Sequence, residues 1–337
     1  MTTVRWATLV VALVGCGGRR GGAPDDGGAR SAPVARAVTV FEGMCDASGA
    51  VPLGGDLFVV ANDEDNVLRV YDARRGGPPL SSTDISAQLD LPLWGGTAAP
   101  ETDLEAATRL GDHGYWLTSH GRSKRGKPRP ERMRFFATTL PADGVGLAVV
   151  GAPYELMLDA IVAAPSLAAF DLAAAATRAP KEPGGFNLEG MTATFDGRLL
   201  IGLRNPVPGG LALLFTLDNA AAVVERAAAP AIGPAIRLDL GGLGVRSLSA
   251  WRGRYLIVAG AIAGDGASRL YTWDGRGAPV PSPVSLAGFN PEGFFTPDHQ
   301  DEIMLLSDDG DVDHGGVACK DLPDPAARSF RGMWVAL

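Results

Sequence analysis

Apolar residues in this chain collect in short unbroken runs separated by Gly- and Asp-rich turns. LFVV (57–60), YWL (115–117), LLIGL (199–203), YLIV (255–258) and IMLL (303–306) are apolar at successive positions. Runs of that kind predict strands covered on both faces. After each comes a more alternating segment: VLRVYD, MRFFATTL, LALLFTLD, RLYTWD and, last, RGMWVAL. Further strand candidates lie around STDISAQLDL, VVGAPYELML, AIRLDLG and PVSLAG.

A segment carrying a glutamate precedes four of the runs. Phe41-Glu42-Gly43 leads into GGDLFVVANDED, and Leu104-Glu105-Ala106 into GDHGYWLTSHGR. Leu188-Glu189-Gly190 leads into DGRLLIGLRN, and Pro291-Glu292-Gly293 into DEIMLLSDDG. A fifth copy, RSLSAWRGRYLIVAGA (246–261), keeps the strand and turn with Ser247 where the glutamate would stand. Repeated units of about four strands joined by hairpin turns predict an all-β chain folded as a β-propeller. Five blades are visible; six or seven would need diverged copies, and a two-layer β-sandwich is the structural alternative. The last unit runs out of chain after its third strand. AVTVF (37–41) can supply the missing one, closing the ring with strands from both ends of the chain. The Ala-rich stretch near 161–182 breaks the pattern and predicts a helical insertion.

With 337 residues, 46% of them apolar, the chain can bury a sizeable core. A net charge of −8 argues against a general nucleic-acid binder. Arg outnumbers Lys 26 to 4, a bias that matches a GC-rich genome more than a particular chemistry. The N-terminus, MTTVRWATLVVALVGC, has one positive charge (Arg5) and an apolar segment too short to span a bilayer. Its Leu13-Val14-Gly15-Cys16 ending resembles a bacterial lipobox. That resemblance implies a signal peptide over 1–15, a lipid on Cys16, and an exported protein anchored to the membrane, periplasmic or at the cell surface. Ordinary signal cleavage is the alternative. Gly-rich sequence over 16–36 predicts a flexible tether to a domain over 37–337. Cys45 and Cys319 remain, and in an oxidising compartment an even pair invites a disulfide; two buried free thiols are the other reading.

In a propeller the first strand of each blade lines the central channel. Glu42, Glu105, Glu189 and Glu292 are therefore expected to face one funnel, with Ser247 in the fifth place. Carboxylates that close need a cation, arginines or shared protons between them. Oxygen donors favour Ca²⁺ or Mg²⁺. Alternatively each glutamate accepts backbone N–H groups of the next blade and stitches the ring. The polar ends of the second strands add Asp63, Glu64, Asp65 and Asn66; Ser119, His120 and Arg122; Arg204 and Asn205; and Asp308 and Asp309. From these, Asp63 and Asp308 join the four glutamates as candidate metal ligands. Arg122 and Arg204 are candidates for holding an anion. His120 is the candidate acid/base group, against the plainer reading of a hydrogen-bonded histidine at a strand end.

Asp309, Asp311 and Asp313 alternate as in calcium loops, but His314 and Lys320 stand where an EF-hand needs Gly and Glu. GRSKRGKPRPERMR (121–134) concentrates seven positive charges. Its Gly121-to-Lys127 spacing matches a Walker motif, yet Pro128 replaces the required Ser/Thr. The segment reads instead as an anion-attracting loop or a solvated hairpin. No G-x-S-x-G elbow, H-E-x-x-H, Cys-rich zinc pattern or dinucleotide fingerprint occurs.

Glu101 to Thr138 and Phe186 to Pro206, with NDEDNVLRVYD and LSDDG, resemble a bacterial exported family known only as a domain of unknown function (the 3616 type). The resemblance implies an exported domain without an established activity. The Leu-Glu-Gly strand and its turn are also loosely similar to phytase-like and esterase-like propellers, which implies acidic residues holding calcium around a funnel. The expectation is a lipid-anchored, extracytoplasmic propeller whose acidic funnel binds a divalent cation and an anionic small molecule. Metal-assisted phosphoester hydrolysis is the leading activity, and a non-catalytic binding or scaffold protein of the cell envelope is the alternative.

Overall fold

A computed structural model describes residues 37–91, 99–263, 266–298 and 301–337. Cys16, the signal-peptide reading and the tether lie outside these residues. Among the described residues no helix is long and apolar enough to cross a membrane.

Strand β1 (Val38–Glu42) opens the described chain and belongs to the last blade. The first blade is β2 (Ala47–Gly54), β3 (Leu57–Asn62), β4 (Val67–Asp72) and β5 (Ser81–Asp84). The second is β6 (Leu104–Leu110), β7 (His113–Thr118), β8 (Phe135–Thr139) and β9 (Val149–Tyr154). The third is β10 (Asn187–Ala193), β11 (Leu199–Asn205), β12 (Ala212–Leu217) and β13 (Ile236–Leu238). The fourth is β14 (Gly244–Trp251), β15 (Arg254–Gly260), β16 (Arg269–Trp273) and β17 (Val280–Pro281). The fifth is β18 (Pro291–Phe295), β19 (Glu302–Ser307) and β20 (Ser329–Ala336), with β1 as its outer strand. All pairs are antiparallel, and β1 closes the ring on β20 from Val38↔Met333 to Glu42↔Ser329. The protein is a five-bladed β-propeller.

The second strand of each blade shows why its residues are apolar without interruption. Successive side chains point to opposite faces, and each face meets a different neighbouring blade. Phe58 and Val60 pack toward the fifth blade, with Phe295, Met304 and Phe330; Val59 and Ala61 pack toward the second, with Trp116 and Phe136. Leu199, Ile201 and Leu203 join the seam between blades two and three, and Leu200 the next seam. Ile303 and Leu305 face the fourth blade while Met304 and Leu306 face the first. Five seams therefore carry five hydrophobic clusters.

The helical insertion begins earlier than its Ala content suggests. Helix α1 (Met157–Ala163), a 3₁₀ stretch (Pro165–Phe170) and α2 (Leu172–Ala175) bury Met157, Ile161, Leu167 and Leu172 in the seam between blades two and three. Helix α3 (Ala220–Arg226) adds Val223 and Val224 to that seam. Strand β17 lies just before PVSLAG rather than within it. Pro279, Pro281 and Pro283 confine pairing there to a short outer edge.

Cys45 and Cys319 are joined, with S–S 2.05 Å and Cα–Cα 6.0 Å. The bridge links the approach to the first blade with the loop between β19 and β20, beside the β1–β20 closure.

Candidate functional site

Every inner strand skips one residue in its pairing at the same level. The skips fall between Leu104 and Ala106, Leu188 and Gly190, Val245 and Ser247, and Pro291 and Gly293. In β2, Ser48 and Gly49 together face Ala61. A bulge re-aims one side chain and bends its strand. The residues at this level are Ser48, Glu105, Glu189, Arg246 and Glu292, and the last four line one cavity. The residue after the bulge is small because the next inner strand passes against it. A Cβ on Gly49 would lie 2.7 Å from the Ala107 nitrogen, and one on Gly190 2.5 Å from Val245 Cγ1. That packing accounts for the Glu-Gly pair.

Two expectations about this ring change. Glu42 is the exposed last residue of β1, the outermost strand of the fifth blade, and does not reach the funnel. Its run precedes LFVV in sequence, but β2 intervenes and supplies the inner strand. In the fourth blade the matching position is Arg246, one residue before Ser247. The ring therefore carries its own cation.

The cavity has a volume of about 1330 Å³. Asp46, Asp63, Asp103, Glu105 and Asp308 make one side of it acidic. Asp46, just before β2, bridges to Asp308, just after β19, across the seam of blades one and five. Burial first, then the hydrogen bond and charge of Asp308, push Asp46 up to about 8. Burial and the charges of Asp46 and Asp308 hold Asp63 well above the usual carboxylate range, and its Oδ1 is buried without a hydrogen-bond partner. Glu105 is driven well upward by burial and by Glu189, Asp103 and Asp63, although part of it stays open to the funnel. Asp308 is fixed by Asn290 Nδ2 and the Gly310 nitrogen, each donating at 3.0 Å.

The other side belongs to arginine. Arg204, near the end of β11, donates to Glu189 Oε1 at 2.7 Å and to the Ala261 carbonyl at 3.0 Å. Arg246 pairs with Glu292 and donates to Asn290 Oδ1. Glu189 Oε1 and Glu292 are thus engaged by arginines, while on the acidic side Asp63 Oδ1 is buried without a hydrogen-bond partner. Among the described residues no three His, Cys, Asp or Glu side chains are already gathered to hold a metal ion.

Lys124, Arg125 and Lys127 of the basic loop stand exposed at the cavity rim, joined there by Lys181 and Lys320. The rest of that loop's charge is spent internally. Arg132 binds Glu101 and Asp103 at 2.6 and 2.8 Å, and Arg129 binds Glu101 and Glu131. Arg134 donates to the carbonyls of Leu89 and Asp90. Arg122 does not line the cavity; it donates to the Ala176 and Gly126 carbonyls and fastens the loop to the insertion. Asn205 reaches the Pro180 and Glu182 carbonyls at 2.8 and 2.7 Å, which sets Lys181 at the rim.

His120 is also outside the cavity lining. It is 1% exposed and left-handed at φ 53°, and its Nδ1 lies 2.8 Å from the Thr118 carbonyl. Burial lowers it to about 4, so the ring is neutral, and its Nε2 is buried without a partner. The alternating aspartates diverge: Asp309 accepts from Arg331, Asp311 pairs with Lys320 at 2.6 Å, and Asp313 caps Gly316. Stitching between inner strands is performed by hydroxyls at the other end of the channel. Thr108 Oγ1 accepts from the Ala193 nitrogen at 3.1 Å, and Thr192 Oγ1 from the Ala250 nitrogen at 2.8 Å.

Fold and site together define a five-bladed propeller with a funnel acidic on one side and arginine-bearing on the other. Residues 154–285 match the model of a family described as "Protein of unknown function (DUF3616)". No curated protein matches the chain in sequence. Similar solved structures include the glutaminyl cyclase of Myxococcus xanthus, 12% identical over 89% of this chain and 95% of that one, TM-score 0.45. The PQQ-bound aldose sugar dehydrogenase of Streptomyces coelicolor is 12% identical over 90% and 99%, TM-score 0.44. An α-L-arabinofuranosidase of Clostridium thermocellum is 10% identical over 78% and 81%, TM-score 0.44. At these values no ligand or activity carries over to this chain.

Proposed function

We propose that the funnel binds a divalent cation, Ca²⁺ or Mg²⁺, on its acidic side and an anionic phosphoester beside it, with hydrolysis of that ester as the reaction. The supporting observation is the Asp46–Asp308 pair with Asp63: carboxylates brought together across one seam, Asp46 and Asp63 pushed upward by burial and by their neighbours' charge, and Asp63 Oδ1 buried and unpartnered. A cation relieves that repulsion. Two carboxylates with water completing the shell is a usual Mg²⁺ arrangement, and Ca²⁺ accepts more oxygens, which Asp63 and Glu105 stand near enough to influence. The cation supplies charge stabilisation when bound. Arg204 orients the anion, and the rim lysines draw it inward. The Cys45–Cys319 bridge supports a site outside the cytoplasm, in line with a protein tethered to the membrane by a lipid on Cys16.

The test is calorimetric titration of chelator-treated protein with Ca²⁺ and Mg²⁺. One site per chain is expected, weakened by roughly tenfold or more in Asp308→Asn. Absence of binding at millimolar cation would sink the reading. Cation-stimulated turnover of an aryl phosphate, lost in Arg204→Met, tests the hydrolytic half. The placement of His120 away from the funnel favours one rival, a non-catalytic binding protein of the cell envelope. Cation binding with no turnover of mono- or diesters selects it.

A further inference from the structure

The floor of the funnel holds a donor and an acceptor that do not reach each other. Glu189 is 2% exposed, and its Oε1 is taken, accepting from Asn187 Nδ2 at 2.6 Å and Arg204 Nη1 at 2.7 Å. Its Oε2 is buried and accepts no hydrogen bond. The group facing that oxygen is Arg246 Nε, 3.7 Å away, itself buried without a hydrogen-bond partner. The other Arg246 nitrogens are committed to Glu292 and Asn290. The gap is too long for a direct bond, yet one oxygen placed about 2.8 Å from both atoms closes it. That oxygen must accept from Nε–H and donate to a carboxylate. Only a hydroxyl or a water molecule does both. An ionised phosphate oxygen has no hydrogen for Glu189, a metal ion would face the guanidinium, and an ammonium has no lone pair for Nε–H. Beside the gap, Asn187 is 5% exposed with its amide nitrogen held on Glu189, which leaves its Oδ1 buried and unpartnered. That carbonyl takes the hydrogen of a second hydroxyl. Asn187, Glu189 and Arg246 all line the cavity.

We infer that the ligand is a polyhydroxylated phosphoester, a phosphate carried on a polyol or sugar, with one hydroxyl between Glu189 and Arg246 and a neighbouring one on Asn187. The inference rests on the phosphoester reading above for the phosphate, and on the floor alone for the hydroxyls. With no ligand the same gap suits a water, which an incoming hydroxyl replaces bond for bond. A ligand lacking the hydroxyl leaves buried groups unpaired and is rejected strongly.

The experiment compares glycerol 3-phosphate with propyl phosphate, which has the same chain length and no hydroxyl, by calorimetry on the full chain with Ca²⁺ and Mg²⁺ present. Glycerol 3-phosphate is expected to bind tighter by roughly 100-fold. Asn187→Ala should cut that preference by about tenfold and leave propyl phosphate unchanged. Equal binding of the two phosphates overturns this inference while the phosphoester reading stands. Where neither phosphate binds, the phosphoester reading falls, and sorbitol decides the floor. Sorbitol binding that Asn187→Ala weakens keeps the hydroxyl site, and no sorbitol binding overturns it. Because the wild-type comparison is complete in itself, a variant that fails to fold leaves the result readable.

Discussion

Reducing the Cys45–Cys319 bridge should remove a large share of this domain's stability. The two cysteines are 274 residues apart, so the bridge closes almost the whole folded chain into one loop. Loop-closure entropy for that length is ~19 cal/mol/K, or about 5–6 kcal/mol at 25 °C, withheld from the unfolded state. Bridges deliver less than this chain-entropy figure when the unfolded chain stays compact, so a loss of about 3–5 kcal/mol is expected. Domains are stable by only about 5–15 kcal/mol, so the change is conspicuous. The folded ring does not depend on the bridge for its geometry, since β1 is paired to β20 along its whole length. Both cysteines are at most 1% exposed, so reduction is best done on unfolded protein. Urea unfolding, followed by tryptophan fluorescence with and without reductant, should show the midpoint falling. Cys45→Ala/Cys319→Ala should behave as the reduced chain does, within the small extra cost of two shortened side chains. A difference below about 1 kcal/mol, with the thiols verified by mass spectrometry, would refute the argument that the bridge acts by restricting the unfolded loop.

Four further outcomes follow from the geometry. His120 is held near 4 against 6.5 for a free histidine, so the unfolded chain takes up a proton the fold excludes. Its contribution is complete above about pH 6.5 and lost as pH falls toward 4, worth about 3 kcal/mol. His120→Asn, which tolerates the left-handed backbone, should flatten the stability profile across that window, and an unchanged profile would exclude His120 as its source. Gly49→Ala places a Cβ against the Ala107 backbone nitrogen and should cost about 1–3 kcal/mol in urea unfolding, with no loss meaning that the inner strands are not so closely set. Arg246→Met strands Glu292, 7% exposed, and should cost about 3–5 kcal/mol; adding Glu292→Gln should recover most of it, and failure to recover would show the pair is not the cause. Replacing Lys124, Arg125 and Lys127 by Ala should leave stability within about 0.5 kcal/mol and weaken the salt dependence of phosphate binding, a titration that an ornamental rim would leave unaltered.

The ring was readable because its signal is local. Phe58 and Val59 face different blades, so a propeller strand must be apolar at neighbouring positions, and five such runs in one chain mark five seams. Closure was readable too, since a blade one strand short needs a donor and AVTVF stood unused before the first unit. The funnel was harder, because which residue faces the axis depends on a bulge, and a bulge shifts the register by one without changing the residues around it. Aligning the fourth unit on its glutamate-like slot places Ser247 inward. Aligning it on Val245, the apolar residue before the bulge, places Arg246 there, and that one-residue difference turns a ring short of one acid into a ring with its own counter-charge. Ala47-Ser48-Gly49 carries no charge to mark its equivalence, so Glu42 took its place by resemblance alone. His120 depended on tertiary structure entirely: a left-handed residue after β7 buries its ring against the Thr118 carbonyl and away from the cavity. The gap between Glu189 and Arg246 also arises from the bulges. It exists because two bulges in neighbouring blades aim opposite charges at one point, 3.7 Å apart, where an oxygen set to one side of the pair can reach both.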